Sequence, residues 1–239
     1  MAEIMFSIRT VSVVFIMLLF VAITSARADG MVPETTVVIL NEEDGETTIN
    51  IKNTDSMPAL LYSSIENLPE DPEFLALVTP PITRVEASDK QLVRVIGQFS
   101  EPLKTQRLKR IIFEGVPPRK PTDTASVGVT LRQNQTLIIR PRGLAKNPTP
   151  WTLLEWSLVG DVLQVRNESP YVVRLSQEVV LTPQNHVADI GRTYVLPGEV
   201  LQRKLDKQPQ SATGVTFYPA TVYGFTVDSY DARLNVQGP

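Results

Sequence analysis

The sequence predicts an all-β protein made of two sandwich domains. Three observations carry that expectation. Short runs of β-branched and aromatic residues recur along nearly the whole chain, turn residues separate them, and one aperiodic Pro-rich stretch divides them into two sets.

Residues 1–28 stand outside this pattern. Arg9 precedes an apolar run from Val11 to Ile23, and Ala26-Arg27-Ala28 supplies the small residues of a cleavage site. The run falls short of the roughly 20 residues that span a bilayer, so removal as a signal peptide is expected in preference to a retained anchor. The exported chain then starts near Asp29.

The first set of strands is expected at Val37–Leu40, Thr47–Ile51, Leu60–Ile65, Phe74–Val78, Leu92–Ile96 and Arg110–Phe113, with Asp44-Gly45 as a hairpin turn between the first two. Pro117 to Thr124 is Pro-rich and polar and reads as an exposed loop. It feeds A-S-V-G-V-T-L (Ala125 to Leu131), in which Val127, Val129 and Leu131 alternate along one side, and then T-L-I-I-R-P (Thr136 to Pro141). An extended segment that leaves a loop with an apolar face of its own is suited to lending to another chain. Seven or more strands in this space are what an immunoglobulin-like sandwich requires.

Pro141 to Pro150 has no periodicity and marks the hinge, giving domains 29–145 and 146–239. Beyond it Trp151–Leu158, Val162–Val165, Tyr171–Leu175, Glu178–Leu181, Thr193–Leu196, Val200–Leu205, Val215–Tyr218 and Val222–Val227 repeat the pattern. A second, smaller sandwich is expected there, with a polar closing segment, Ser229 to Pro239, free to fray.

Composition narrows the function classes. Without Glu3, Arg9 and Arg27, the 26 acidic and 23 basic side chains become 25 and 21, a net charge of −4 that argues against nucleic-acid binding. The chain has no Cys, which excludes thiol chemistry, Cys-based metal sites and disulfides, so an exported fold rests on its hydrophobic cores. His186 is the one histidine and lies in a turn-like context, without the partners of a catalytic triad, and reads as an exposed loop residue. The acidic groups Glu42-Glu43-Asp44 and Glu70-Asp71 lack calcium-loop spacing and read as solvated turns. No Gly-rich phosphate loop occurs, and the glycosylation-type triplets at Asn134 and Asn167 are common by chance. Neither an enzyme nor a cofactor or metal is expected.

The basic residues leave two readings open. Lys104, Arg107, Lys109 and Arg110 crowd the lead-in to one strand, and Arg132, Arg140 and Arg142 lie on or after the last strand of the first domain. They are either a basic sheet surface that balances the acidic turns, or one or two of them line a cleft and hold a carboxylate. With Ile111 and Phe113 facing the core, Arg110 and Ile112 point out of the sandwich.

V-T-P-P-I-T-R-V (Val78 to Val85), Q-L-V-R-V (Gln91 to Val95), R-I-I-F-E-G-V-P-P (Arg110 to Pro118), V-G-V-T-L (Val127 to Leu131) and T-L-I-I-R-P-R-G-L (Thr136 to Leu144) together resemble the PapD-like periplasmic chaperones of pilus assembly, in order and spacing. The resemblance implies two immunoglobulin-like domains in a boomerang, located in the periplasm. It implies a donor strand whose Val127, Val129 and Leu131 fill the open groove of an incomplete pilus subunit by β-augmentation. It also implies docking on an outer-membrane usher. Members typically anchor the subunit's C-terminal carboxylate through an Arg on the first strand and a Lys on the last, but here Val37 and Thr136 stand at those places. Arg110, in a context similar to the divergent alternate and archaic branches, is the expected replacement, with Arg140 second or bracing the cleft.

Other classes remain open on sequence alone. A two-domain adhesin or carbohydrate-binding surface protein would use the same sandwiches with aromatic residues exposed in loops, whereas the aromatics here sit mostly in strand-like runs. A pilus subunit would carry its donor pattern at the N-terminus, which Asp29 to Thr36 lacks. The exposed edge also leaves self-pairing open to the free chain.

Overall fold

The computed structural model describes residues 30–118, 130–207, 209 and 211–237. The N-terminal sandwich contains β1 (Met31–Pro33), β2 (Val37–Asn41), β3 (Glu46–Asn53), β4 (Ala59–Glu66), β5 (Ala76–Thr79), β6 (Ile82–Val85), β7 (Lys90–Gly97), β8 (Arg107–Val116) and β9 (Leu131–Arg140). One sheet has the order β1-β3-β7-β5 and the other β2-β9-β8-β4-β6. Their inner faces close on Ile49, Ile51, Leu61, Val93, Val95, Ile111, Phe113, Leu137 and Ile139, every second residue of the strands that carry them.

The second sandwich begins with a 3-10 turn, Pro150–Leu153, and continues as β10 (Leu154–Val159), β11 (Val162–Asn167), β12 (Val173–Leu175), β13 (Glu178–Thr182), β14 (His186–Asp189), β15 (Tyr194–Val195), β16 (Glu199–Lys204), β17 (Gly214–Phe217), β18 (Pro219–Ala220) and β19 (Tyr230–Gln237). A seven-stranded sheet, β14-β13-β17-β19-β10-β11-β16, accompanies the three strands β15-β12-β18. Trp156 from β10 and Phe217 from β17 meet in one core, ring centroids 5.4 Å apart, with Tyr230 packed edge-on against Phe217. The all-β expectation of two immunoglobulin-like domains in a boomerang describes the molecule.

Several local expectations change. The closing segment does not fray between Tyr230 and Gln237. As β19 it pairs parallel to β10 and antiparallel to β17, and so joins the two halves of the large sheet. Its polar residues hid the alternation of Tyr230, Ala232 and Leu234, which pack on the core. Val222–Val227 is an irregular loop rather than a strand, with Tyr223 and Phe225 58% and 72% exposed. Trp151 belongs to the 3-10 turn, and Phe74 precedes β5 outside any strand. His186 lies on the edge strand β14, half-buried opposite Leu181, rather than in a loop.

Asp71 is buried, not solvated. Arg107 Nε donates to its Oδ2 at 2.8 Å, Lys109 Nζ lies 3.1 Å from its Oδ1, and Lys109 also donates to the carbonyls of Asp71 and Glu73 at 2.7 Å each. Lys109 is completely shielded from solvent, so its charge depends on these acceptors. Burial works against the ionised Asp71, but the hydrogen bonds and charges of Arg107 and Lys109 outweigh it and hold the carboxyl below the ordinary aspartate value.

Asp71→Asn leaves the Lys109 ammonium buried without its counter-ion and is expected to destabilise the protein by about 3–5 kcal/mol in denaturant unfolding. Because the folded carboxyl titrates below the unfolded one, its stabilisation is complete above roughly pH 4 and is lost as pH falls through the folded value. The wild-type stability curve should therefore steepen below that point, and the Asn variant should be flatter there.

Candidate functional site

The outward face of the five-stranded sheet meets the second domain. Ladder registers set its side chains in rows: Ile39, Ile138 and Leu108 form one, and Val37, Thr136 and Arg110 the next. Val37, Leu108 and Ile138 pack with Leu68, Val172 and Tyr194 in a small interdomain core. Ile112, which points out of the sandwich as expected, is nevertheless fully buried on this outward face.

Polar ties surround that core. Val172 N donates to Gln106 Oε1 at 2.9 Å, and Gln106 N to the Pro170 carbonyl at 2.8 Å. Arg192 Nη1 donates to Glu70 Oε1 at 2.6 Å, while Glu199 takes its other arm. Glu70 is thus a cross-domain ligand rather than a solvated turn residue. Burial opposes its charge, but its backbone hydrogen bond and Arg192 hold the carboxyl below the ordinary range. Glu70 and Arg192 lie 122 residues apart, a juxtaposition that only the folded chain reveals.

The same geometry sorts the strand cations. Arg107 and Lys109 are tied to Asp71, and Arg132 to Glu66. Arg140 Nη2 donates to the Leu144 carbonyl at 2.8 Å and braces the chain leaving β9. Arg110, by contrast, forms no salt bridge among the described residues. Its Nη1 lies 3.4 Å from Thr136 Oγ1, and its guanidinium stands 5.8 Å above the centroid of the Tyr194 ring. Glu66, its neighbour across the ladder, faces Arg132 instead.

One strand is incompletely paired. β8 accompanies β9 on one side from Leu131 to Ile139, whereas β2 covers the other side only from Thr136 onward. Among the described residues, Leu131 to Gln135 therefore present an open edge, and it ends at the row that holds Val37, Thr136 and Arg110. Leu131 opens β9 and is 40% exposed. Val127 and Val129 lie outside the described residues. No group of three or more metal-ligating side chains occurs among the described residues.

The fold and the edge together define a two-domain β protein with an open sheet edge that ends beside a cationic cleft. Residues 30–145 match the model of the pili and flagellar-assembly chaperone PapD N-terminal domain, and residues 149–230 that of the pili assembly chaperone PapD C-terminal domain. The chain belongs to this family of periplasmic pilus-assembly chaperones, which are not enzymes. It is 41% identical to the fimbrial chaperone YhcA of Escherichia coli (strain K12) over 208 residues, 87% of this chain and 92% of that one. Among solved structures, the Salmonella enterica SafA pilin in complex with the SafB chaperone gives a TM-score of 0.71 at 22% identity, covering 88% of this chain and 99% of that one. The Pseudomonas aeruginosa CupB2 chaperone gives 0.68 at 25% identity, covering 85% and 100%. Exposed loop aromatics, which the adhesin reading required, are present at Tyr223 and Phe225, but the family assignment decides against that reading.

Glu70→Gln removes one anchor of the hinge at a partly exposed site. It is expected to move the unfolding midpoint little, since such pairs contribute about 1 kcal/mol or less. It should broaden the spread of interdomain angles seen by small-angle scattering.

Proposed function

We propose that this chaperone lends residues Val127, Val129 and Leu131 to a pilus subunit as a donor strand, holds the subunit's terminal carboxylate at Arg110, and passes the subunit to an outer-membrane usher. The observation that carries this reading is the open half of β9, which stops beside a cation without a carboxylate partner. An incoming strand would pair with the free N–H and C=O groups of Leu131 to Gln135, so that main-chain bonds supply affinity. Alternate side chains would supply specificity, each fully buried knob contributing roughly 1.5–3 kcal/mol.

Charge gives the incoming strand a direction. A strand in line with β2 arrives at Val37 with either its C-terminus or its N-terminus. The guanidinium beside that point favours a carboxylate and opposes an ammonium. The subunit strand therefore runs parallel to β9, as β2 does. Arg140 is the weaker candidate anchor, because it lies four residues further along and is engaged with Leu144.

The functional division follows the sequence reading: residues 1–28 act as a cleaved signal peptide, 29–145 form the donor domain and 146–239 the second domain. The two family spans, 30–145 and 149–230, support that division. The free donor edge also allows self-pairing when no subunit is present.

Co-expression with the pilus subunit tests the reading. Val127→Asp, Val129→Asp and Leu131→Asp combined should abolish recovery of the complex while the chaperone remains folded. Arg110→Ala should reduce recovery at least tenfold. Wild-type recovery from the triple variant sinks the donor-strand assignment.

A further inference from the structure

We infer that the subunit's terminal carboxylate is clasped between Arg110 of the first domain and Arg174 of the second, a two-domain anion site that forms only across the hinge. The inference rests on the carboxylate reading proposed above and adds a residue to it.

Arg174 lies on β12 between Val173 and Leu175, which enter the core of the second domain, so its own side chain leaves that core. Its ladder partner is Tyr194, the ring over which Arg110 stands. The two guanidiniums therefore converge on one patch from opposite domains. Arg174 Nη1 is buried and has no hydrogen-bond acceptor. Gly224 lies beside it, where a Cβ would fall 2.8 Å from Thr36 Oγ1, 3.0 Å from Val37 Cγ2 and 3.4 Å from Arg174 Nη1. That is the entrance to β2, the point at which the open edge of β9 ends.

Arg192, on the other side of Tyr194 and 4.9 Å from the ring centroid, differs in its charge balance: its Nε and Nη2 also lack well-aligned acceptors, but Glu70 and Glu199 lie against it as counter-ions. Arg110 and Arg174 form no salt bridge to any described residue. Burial, and then the charge of Arg110, push the Arg174 guanidinium below its ordinary value. Two guanidiniums gathered at one ring with a buried donor unmet are costly alone and well matched to one carboxylate, each offering a planar pair of N–H groups. Thr36 and Thr136 add hydroxyls at the rim. A ligand held by both domains also opposes opening of the hinge, so occupancy and domain closure are coupled.

The test uses the full mature chaperone and a synthetic peptide of the C-terminal strand of the co-expressed pilus subunit, made once as the free acid and once as the C-terminal amide. Affinities are measured by calorimetry for wild type, Arg110→Ala, Arg174→Ala and Arg174→Lys, with thermal unfolding as the check on folding. Wild type should favour the acid over the amide. Arg174→Ala should lose about tenfold to a hundredfold toward the acid with the amide unchanged, and Arg174→Lys should recover part of the loss. If Arg174→Ala keeps the full acid preference while Arg110→Ala loses it, the two-domain site is wrong and the Arg110 anchor stands. If neither variant alters the preference, both readings fail. Inorganic phosphate is titrated in parallel. Arg174-dependent phosphate binding without any acid preference in wild type would assign the patch to a free anion and overturn the inference.

Discussion

The arrangement depends on a strand whose pairing is interrupted. Over Thr136 to Arg140, β9 is held on both sides, by β8 and by β2, and its alternate side chains Leu137 and Ile139 are sealed in the N-terminal core. Over Leu131 to Gln135 the β2 side is missing. A ladder edge left in this state must be hydrated, covered or shared, and it is also a template for another chain. Because the closed half is anchored in the core, the open half is presented at fixed register, so a partner strand meets a defined set of donors and acceptors. Every other feature of the cleft is placed relative to the residue where the pairing changes.

Electrostatics at that residue follow from the same interruption. In this part of the molecule most cations have an assigned acid: Arg107 and Lys109 share Asp71, Arg132 takes Glu66, and Arg192 lies between Glu70 and Glu199. These pairs use up the acidic residues of Glu70-Asp71 and its surroundings and stiffen the hinge. They leave Arg110, and Arg174 across the cleft, without a carboxylate among the described residues, while Arg140 is engaged with the Leu144 carbonyl. Val37 and Thr136 put no charge in the row of Arg110, so the positive potential there is set by Arg110 and the opposing domain.

Much of this was legible in the sequence. Alternation of period two gave the strands whose one face is buried, such as β3 and β7, because burial imposes that pattern directly, whereas β8 and β9 were read from continuous apolar runs that are buried on both faces. The same logic failed for β19, where Asp231, Arg233 and Asn235 alternate with core residues on a strand that lies between two others, and for Val222–Val227, an irregular loop whose Tyr223 and Phe225 are exposed. Arg110 could be singled out because its direction follows from Ile111 and Phe113. The roles of Glu70, Tyr194 and Arg174 could not, since each depends on residues more than 60 positions away that meet only when the domains dock.

On the proposed reading, the two domains do different physical work at one place. The first supplies an edge, which is indifferent to strand polarity, since parallel and antiparallel partners both satisfy it. Charge concentrated at the end of the edge removes that indifference. A terminal carboxylate can approach the guanidiniums, whereas the amino end of an antiparallel strand would bring an ammonium to the same point. Recognition of a chain end differs in kind from recognition of a sequence, since it leaves most side chains of the bound strand unspecified and fixes only where the strand stops. The hinge is where both constraints can be applied to one ligand at once.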